Sequence, residues 1–212
     1  QEMFNEELSR HQGQNPYTGE DYFAYVDGKP RYDGVRDFLA SRGITLPEGD
    51  PSDGPAAQTI CGLGNRKNDL FNTLLARDGI QPYPGSRRWV DRLHESGMAM
   101  AVVSSSRNAA AVLKAAGMAE DFSVLVDGNR SKAERLPGKP APDTYLRGAE
   151  LLGVPAEECV VVEDAVSGVR AGAAGGFGMV LGVNRGVGAD RLREAGADRV
   201  VDDLDEMVEE MA

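Results

Sequence analysis

From Tyr83 onward the chain alternates short, continuous apolar runs with stretches of helical spacing, and few folds satisfy that alternation. The apolar runs cover residues 98–103, 123–126, 159–162, 179–183 and 199–201. Helical spacing covers 87–95 before the first run, then 108–116, 143–152, 166–172 and 189–194, and finally 204–211. A strand that is apolar throughout is buried on both faces, and strands separated by helices pair in parallel. The pattern predicts an α/β domain, a doubly wound parallel sheet, over residues 81–212. Residues 1–80 contain no comparable run. Met3, Phe4 and Leu8 fall at helical spacing in 1–11, as do Tyr22, Phe23 and Val26 in 20–26. A short helix at 35–41 ends before Gly43, the glycine expected just past a helix terminus. A loop rich in Pro, Gly and Asp at 47–55 precedes another helix at 68–78. This part is predicted to be an all-helical domain.

At roughly 150 residues per domain, two small domains or one large one fit the 212 residues. Such a chain buries enough surface to fold without a disulfide or metal staple. Lys and Arg number 23 against 34 Asp and Glu, a net charge of −11, which argues against a nucleic-acid partner because phosphate backbones are bound with Lys and Arg. No stretch approaches the ~20 apolar residues of a membrane span, and nothing resembles a signal peptide. Cys61 and Cys159 lie far apart in apolar contexts, so a reducing cytoplasm is the expected compartment. A monomer is expected.

In an open parallel sheet, ligands bind beyond the carboxyl ends of the strands. The first run is followed by Ser104, Ser105, Ser106, Arg107 and Asn108, where a hydroxyl and a helix start suit an anion; a polar turn with a capping Ser is the alternative. After the second run comes a loop in which Pro140 and Pro142 fix the backbone around a single lysine, Lys139, with Asp143 placed to N-cap the next helix. Rigid presentation suits pairing with phosphate or carboxylate, and a solvated loop lysine is the alternative. The third run ends in Glu163-Asp164. Adjacent carboxylates repel unless a cation lies between them, and oxygen-only ligation suits Mg²⁺. Helix capping by Asp164 with Glu163 exposed is the alternative. Hydroxyl, lysine and acidic pair at consecutive strand ends converge on one crevice, the positioning and charge neutralisation that phosphoryl transfer calls for. No nucleophile accompanies them.

These residues carry a resemblance to the haloacid dehalogenase (HAD) superfamily, in the subgroup of β-phosphoglucomutases and sugar-phosphate phosphatases. The 104–108 segment resembles the family's second motif, Lys139 in GKPAPD its third, and Glu163-Asp164 in VVVEDAVSG its fourth. The resemblance covers nearly the whole chain and implies a Rossmann-like HAD core with an α-helical cap domain, the cap being residues 1–80. It implies that Ser104 and Lys139 hold the transferring phosphoryl group. It also implies that Ser105, Ser106, Arg107 and Asn108 bind the substrate, the last three facing its distal phosphate. It further implies that Arg31 and Lys67 reach the substrate from the cap, and that Glu163 and Asp164 bind Mg²⁺ directly or through water. Without the family, Arg31 reads as a turn residue and Arg66-Lys67-Asn68-Asp69 as a charged helix start.

The family's first motif, DxDGxx[TV], supplies the nucleophilic and acid/base aspartates, and no segment here matches it. Tyr25 stands where Val26-Asp27-Gly28 would need the first Asp, and Leu125 does so before Val126-Asp127-Gly128. Asp203-Leu204-Asp205 is better suited to capping the last helix. In family members the motif lies some twenty residues ahead of the point where this chain opens, at Gln1. The expectation is a longer protein whose first, central strand is missing from this sequence.

The expected activity is Mg²⁺-dependent phosphoryl transfer on a small phosphorylated sugar through an aspartyl-phosphate, with water or a sugar hydroxyl as acceptor. A second grip on phosphate tilts the expectation toward a mutase. The alternative is an inactive phospho-ligand or protein-binding domain, preferred if no DxDG precedes Gln1. A signalling receiver is disfavoured by the order of its acidic pair, hydroxyl and lysine. His11 and His94 suit surface or packing roles, Trp89 a core-facing helix position, and Gly62-Leu63-Gly64-Asn65 lacks the strand a nucleotide fingerprint needs.

Overall fold

The computed structural model describes residues 1–210. The chain divides into two compact units, Gln1–Gly79 and Ile80–Ala212.

Helices α1 (Glu2–Leu8), α2 (Gly19–Asp21), α3 (Arg31–Ser41) and α4 (Ile60–Asp78) build the first unit, with a π turn at Tyr22–Val26. Its core gathers the rings of Phe4, Tyr17 and Phe38, whose centroids are 4.5 to 4.9 Å apart, with Val35, Leu39, Ile60 and Leu63 around them. Two helices begin earlier than their spacing predicted. α3 starts directly after Pro30, and its polar first turn hid it. α4 starts at Ile60, not at 68, because Thr59 caps it by accepting from the Gly62 N–H at 2.9 Å. The glycines that obscured this start are packing devices: a Cβ on Gly64 would lie 2.6 Å from the Tyr32 ring. His11 sits 3.3 Å from Glu7, itself buried.

The second unit begins with α5 (Pro84–Glu95) and continues with β1 (Ala101–Val103), α6 (Ala109–Ala115), β2 (Val124–Val126), α7 (Gly128–Glu134) and α8 (Asp143–Leu152). It closes with β3 (Val160–Glu163), α9 (Val166–Ala174), β4 (Met179–Val183), α10 (Ala189–Glu194), β5 (Arg199–Val201) and α11 (Asp205–Glu210). The predicted end of the last helix, Met211, lies outside the described residues. Trp89 on α5 packs against Leu181, Val183 and Val201, as its position suggested, and His94 is exposed.

All pairings are parallel, as the alternation predicted. Among the described residues they form two sheets, β1-β2 and β3-β4-β5, instead of one continuous sheet. Burial follows the pairing. β4, flanked on both edges, is buried over Val180–Val183, whereas all three residues of β1 are half-buried and Val160 of β3 is 52% exposed. The expectation of twice-buried strands holds only where both neighbours are present. Two further corrections concern the helices. α7 occupies the start of what read as one long loop, and Asp143 is the first residue of α8 with Pro142 at the N-cap.

Candidate functional site

Strand β1 hands the chain to the Ser104–Asn108 segment. The Ser104 N–H donates to the Val126 carbonyl at 2.9 Å, extending the β1-β2 pairing by one residue. Ser104 Oγ accepts from the Ser106 N–H at 3.2 Å, and Ser106 Oγ accepts from the Asn108 N–H at 3.1 Å. Each hydroxyl thereby shapes the turn while keeping its own proton to donate to an anion. The segment is a polar turn with donor capacity to spare, but the capping Ser of the alternative reading is not borne out, since α6 has Asn108 at its N-cap with no side-chain cap bond.

Lys139 is not a solvated loop lysine. It is 8% exposed, its Nζ donates to the Val103 carbonyl at 3.3 Å, and it pairs with Glu163. The lysine therefore joins the carboxyl end of β1, one residue before Ser104, to that of β3. Tyr145 on α8 completes the arrangement. Its hydroxyl donates to Glu163 Oε1 at 2.7 Å and its ring centroid lies 4.6 Å from Lys139 Nζ. Phe177 meets that ring edge-on at 6.0 Å.

Glu163 is 9% exposed at its side chain, which removes the alternative in which it faced solvent. Oε2 accepts from the Asp164 and Ala165 N–H groups at 3.0 and 2.9 Å. Burial pushes its carboxyl upward, but Lys139 beside it and the donors of Ala165 and Tyr145 prevail and hold it below the usual range. Burial, and then the neighbouring carboxylate, raise the Tyr145 phenol in turn. Gly168 makes the arrangement possible, since a Cβ there would fall on the Glu163 carboxyl group. Asp164 is exposed beside it, and α9 has Ala165, not Asp164, at its N-cap.

The donor set at the end of β3 is oxygen only, which suits a hard divalent cation. Among the described residues no group of three or more His, Cys, Asp or Glu side chains is arranged to hold a metal; Glu163 and Asp164 are two adjacent carboxylates at this strand end.

In the first unit the structure brings Arg31 and Lys67 together. Arg31 is half-buried and spreads its guanidinium between Asn65 Oδ1 at 3.3 Å and Asn68 Oδ1 at 2.6 Å. Tyr32 donates to the same Asn65 oxygen at 3.0 Å. Burial, and then Arg31, draw the Lys67 ammonium below the usual lysine range, with Asp27 working against them. Two cations held this close concentrate positive charge on this unit.

Tyr145 and Asp127 escaped the sequence reading. Asp127 caps α7 by accepting from the N–H groups of Asn129 and Arg130 at 3.0 and 2.9 Å. It follows the second strand directly, so the strand-end rule that found Ser104 and Glu163 would have found it too. Tyr145 gave no comparable signal.

A haloacid dehalogenase-like hydrolase family model matches residues 2–176. The chain is 51% identical over 191 residues to the β-phosphoglucomutase of Mycobacterium bovis, covering 89% of this chain and 73% of that protein. It is 33% identical over 190 residues to hexitol phosphatase A of Escherichia coli, covering 89% and 77% of the two chains. Among solved structures, a variant of CbbY from Rhodobacter sphaeroides in complex with xylulose-(1,5)bisphosphate superposes with a TM-score of 0.73 at 25% identity, over 97% of this chain and 87% of that one.

Proposed function

The chain belongs to the haloacid dehalogenase-like hydrolase family, and from that premise we propose that it serves Mg²⁺-dependent phosphoryl transfer on a small sugar phosphate. The relatives supporting a sugar-phosphate mutase or phosphatase are the β-phosphoglucomutase and the hexitol phosphatase. The observation that carries the reading is Lys139, buried at the junction of two strand ends and paired with Glu163.

Ser104 donates its hydroxyl proton, and Lys139 its ammonium, to oxygens of the transferring phosphoryl group. Glu163 keeps Lys139 in place through the ion pair, and Tyr145 keeps Glu163 in place through its hydroxyl. Asp164, with Glu163 directly or through water, would hold the Mg²⁺ ion, which neutralises charge on the phosphoryl oxygens when bound. Ser105, Ser106, Arg107 and Asn108 form the grip for the second, non-transferred phosphate, and Arg31 and Lys67 supply positive charge on the cap for binding a phosphorylated substrate. A second phosphate grip favours a mutase, in which a sugar bisphosphate turns round, over a phosphatase. The bisphosphate bound to the CbbY relative is of that class. The aspartyl-phosphate of this scheme needs a nucleophile that is not among the 212 residues. Free Cys61 and Cys159 fit a cytoplasmic setting, and a monomer is part of the same reading.

The test is turnover by the complete protein, with and without Mg²⁺. Conversion of β-glucose 1-phosphate to glucose 6-phosphate supports the mutase, and phosphate release from a panel of sugar phosphates supports the phosphatase. Asp164→Asn is expected to abolish the dependence on Mg²⁺ in either case. Absence of both reactions, with no DxDG encoded upstream of Gln1, would leave a phospho-ligand binding domain as the better reading.

A further inference from the structure

The Ser104–Asn108 turn is held from outside by the corner between β2 and α7. Ser104 donates its N–H to the Val126 carbonyl at 2.9 Å, and the Ser106 carbonyl accepts from the Gly128 N–H at 3.1 Å. The Arg107 carbonyl accepts from Asn129 Nδ2 at 2.9 Å. The same amide donates its other proton to Asp127 Oδ2, also at 2.9 Å. Gly128 is pressed against the turn, since a Cβ there would lie 2.6 Å from the Ser105 carbonyl oxygen and 3.1 Å from the Arg107 nitrogen.

We propose that Asn129 is a positioning residue that sets recognition of the second phosphate by holding the main chain of Arg107. The inference rests on reading the Ser104–Asn108 segment as an anion grip. Asn129 is separable from the folding of its own helix. The α7 cap is made by the Asp127 carboxylate to backbone N–H groups of Asn129 and Arg130, bonds that do not use the Asn129 side chain. What the Asn129 side chain adds is a bridge from that cap to Arg107. Ser104 is fixed to β2 by its own N–H, so loosening the bridge moves the far half of the turn and leaves the near half anchored. An arginine that must meet a phosphate with its planar fork loses affinity on small displacements.

The experiment uses the complete protein and two probes, a hexose 1,6-bisphosphate and inorganic phosphate, with dissociation constants measured by calorimetry. Wild type is expected to bind the bisphosphate more tightly. Asn129→Ala is expected to weaken the bisphosphate by about tenfold and inorganic phosphate by less than about twofold. Gly128→Ala, which removes no hydrogen bond but pushes on the same turn, is expected to give the same selective loss. Both variants keeping the wild-type ratio of the two constants would overturn the inference, as would equal weakening of both probes, the mark of a general loosening. A wild type with no preference for the bisphosphate would overturn the anion-grip reading itself, and is distinguishable because the variants are then irrelevant to it.

Discussion

Lys139 and Glu163 form an ion pair with both side chains withdrawn from solvent, 5% and 9% exposed, and the same ammonium donates to the Val103 carbonyl. Removing one partner of a buried pair strands the other charge, at about 3–5 kcal/mol. Lys139→Met is therefore expected to lower unfolding free energy by about that amount, and Glu163→Gln by a similar one. The double variant should cost clearly less than the two singles together. A urea-denaturation cycle reads this directly, and strictly additive losses would show that the two side chains do not depend on one another.

Gly168→Ala tests the space reserved for that carboxylate. Within helix α9, alanine would ordinarily add about 0.5–1 kcal/mol of stability over glycine. The new methyl would fall on the Glu163 carboxyl group, and that displacement costs about 1–3 kcal/mol, so the expected net effect is destabilising. Thermal denaturation gives the sign, and a raised melting temperature would contradict the packing described for Glu163.

Acid should weaken the first unit through Asp21. Burial pushes its carboxyl upward, but the hydrogen bonds from Arg42 and Thr18 prevail and hold it below its usual value. A carboxyl lowered on folding contributes stability above its unfolded pKa, near pH 4, and that contribution fades as pH falls through the folded value. Asp21→Asn is expected to cost about 1–3 kcal/mol at pH 7 and progressively less below about pH 4. Denaturation series at several pH values would show the two proteins converging in acid, and a constant gap would exclude Asp21 as its source.

The strand ends were legible because an apolar run marks where a strand stops, and Ser104 and Glu163 lie at or just after such a point. Lys139 stood out through Pro140 and Pro142 just after it. α7 was not legible because none of its seven residues is buried, so it offers no apolar face to a periodicity reading. The start of α4 was hidden for the opposite reason, its glycines being selected for contact with Ala57 and Tyr32 against the usual helix preference. Tyr145 carries no functional signal in the sequence. Its role depends on a carboxylate 18 residues away that only the tertiary packing of α8 brings within reach. The division into two sheets was equally invisible, because strand spacing along a chain does not say which edges pair.

Arg31 offers the sharpest test of the proposed substrate-binding role of the first unit. Its guanidinium reaches two different side chains at once, Asn65 and Asn68, one helical turn apart on α4. A planar fork can do this and still present a further edge, whereas a lysine ammonium is a point charge on a flexible stem. Arg31→Lys keeps the charge and loses the geometry. It is expected to leave the fold intact and weaken binding of a hexose 1,6-bisphosphate by about tenfold, while Arg31→Ala weakens it further. If charge alone recruits the anion, Arg31→Lys will match wild type in calorimetry, and the Asn65–Asn68 bracket is then only a packing contact between α3 and α4. A tenfold loss with an unchanged melting temperature would assign the recognition to the fork itself.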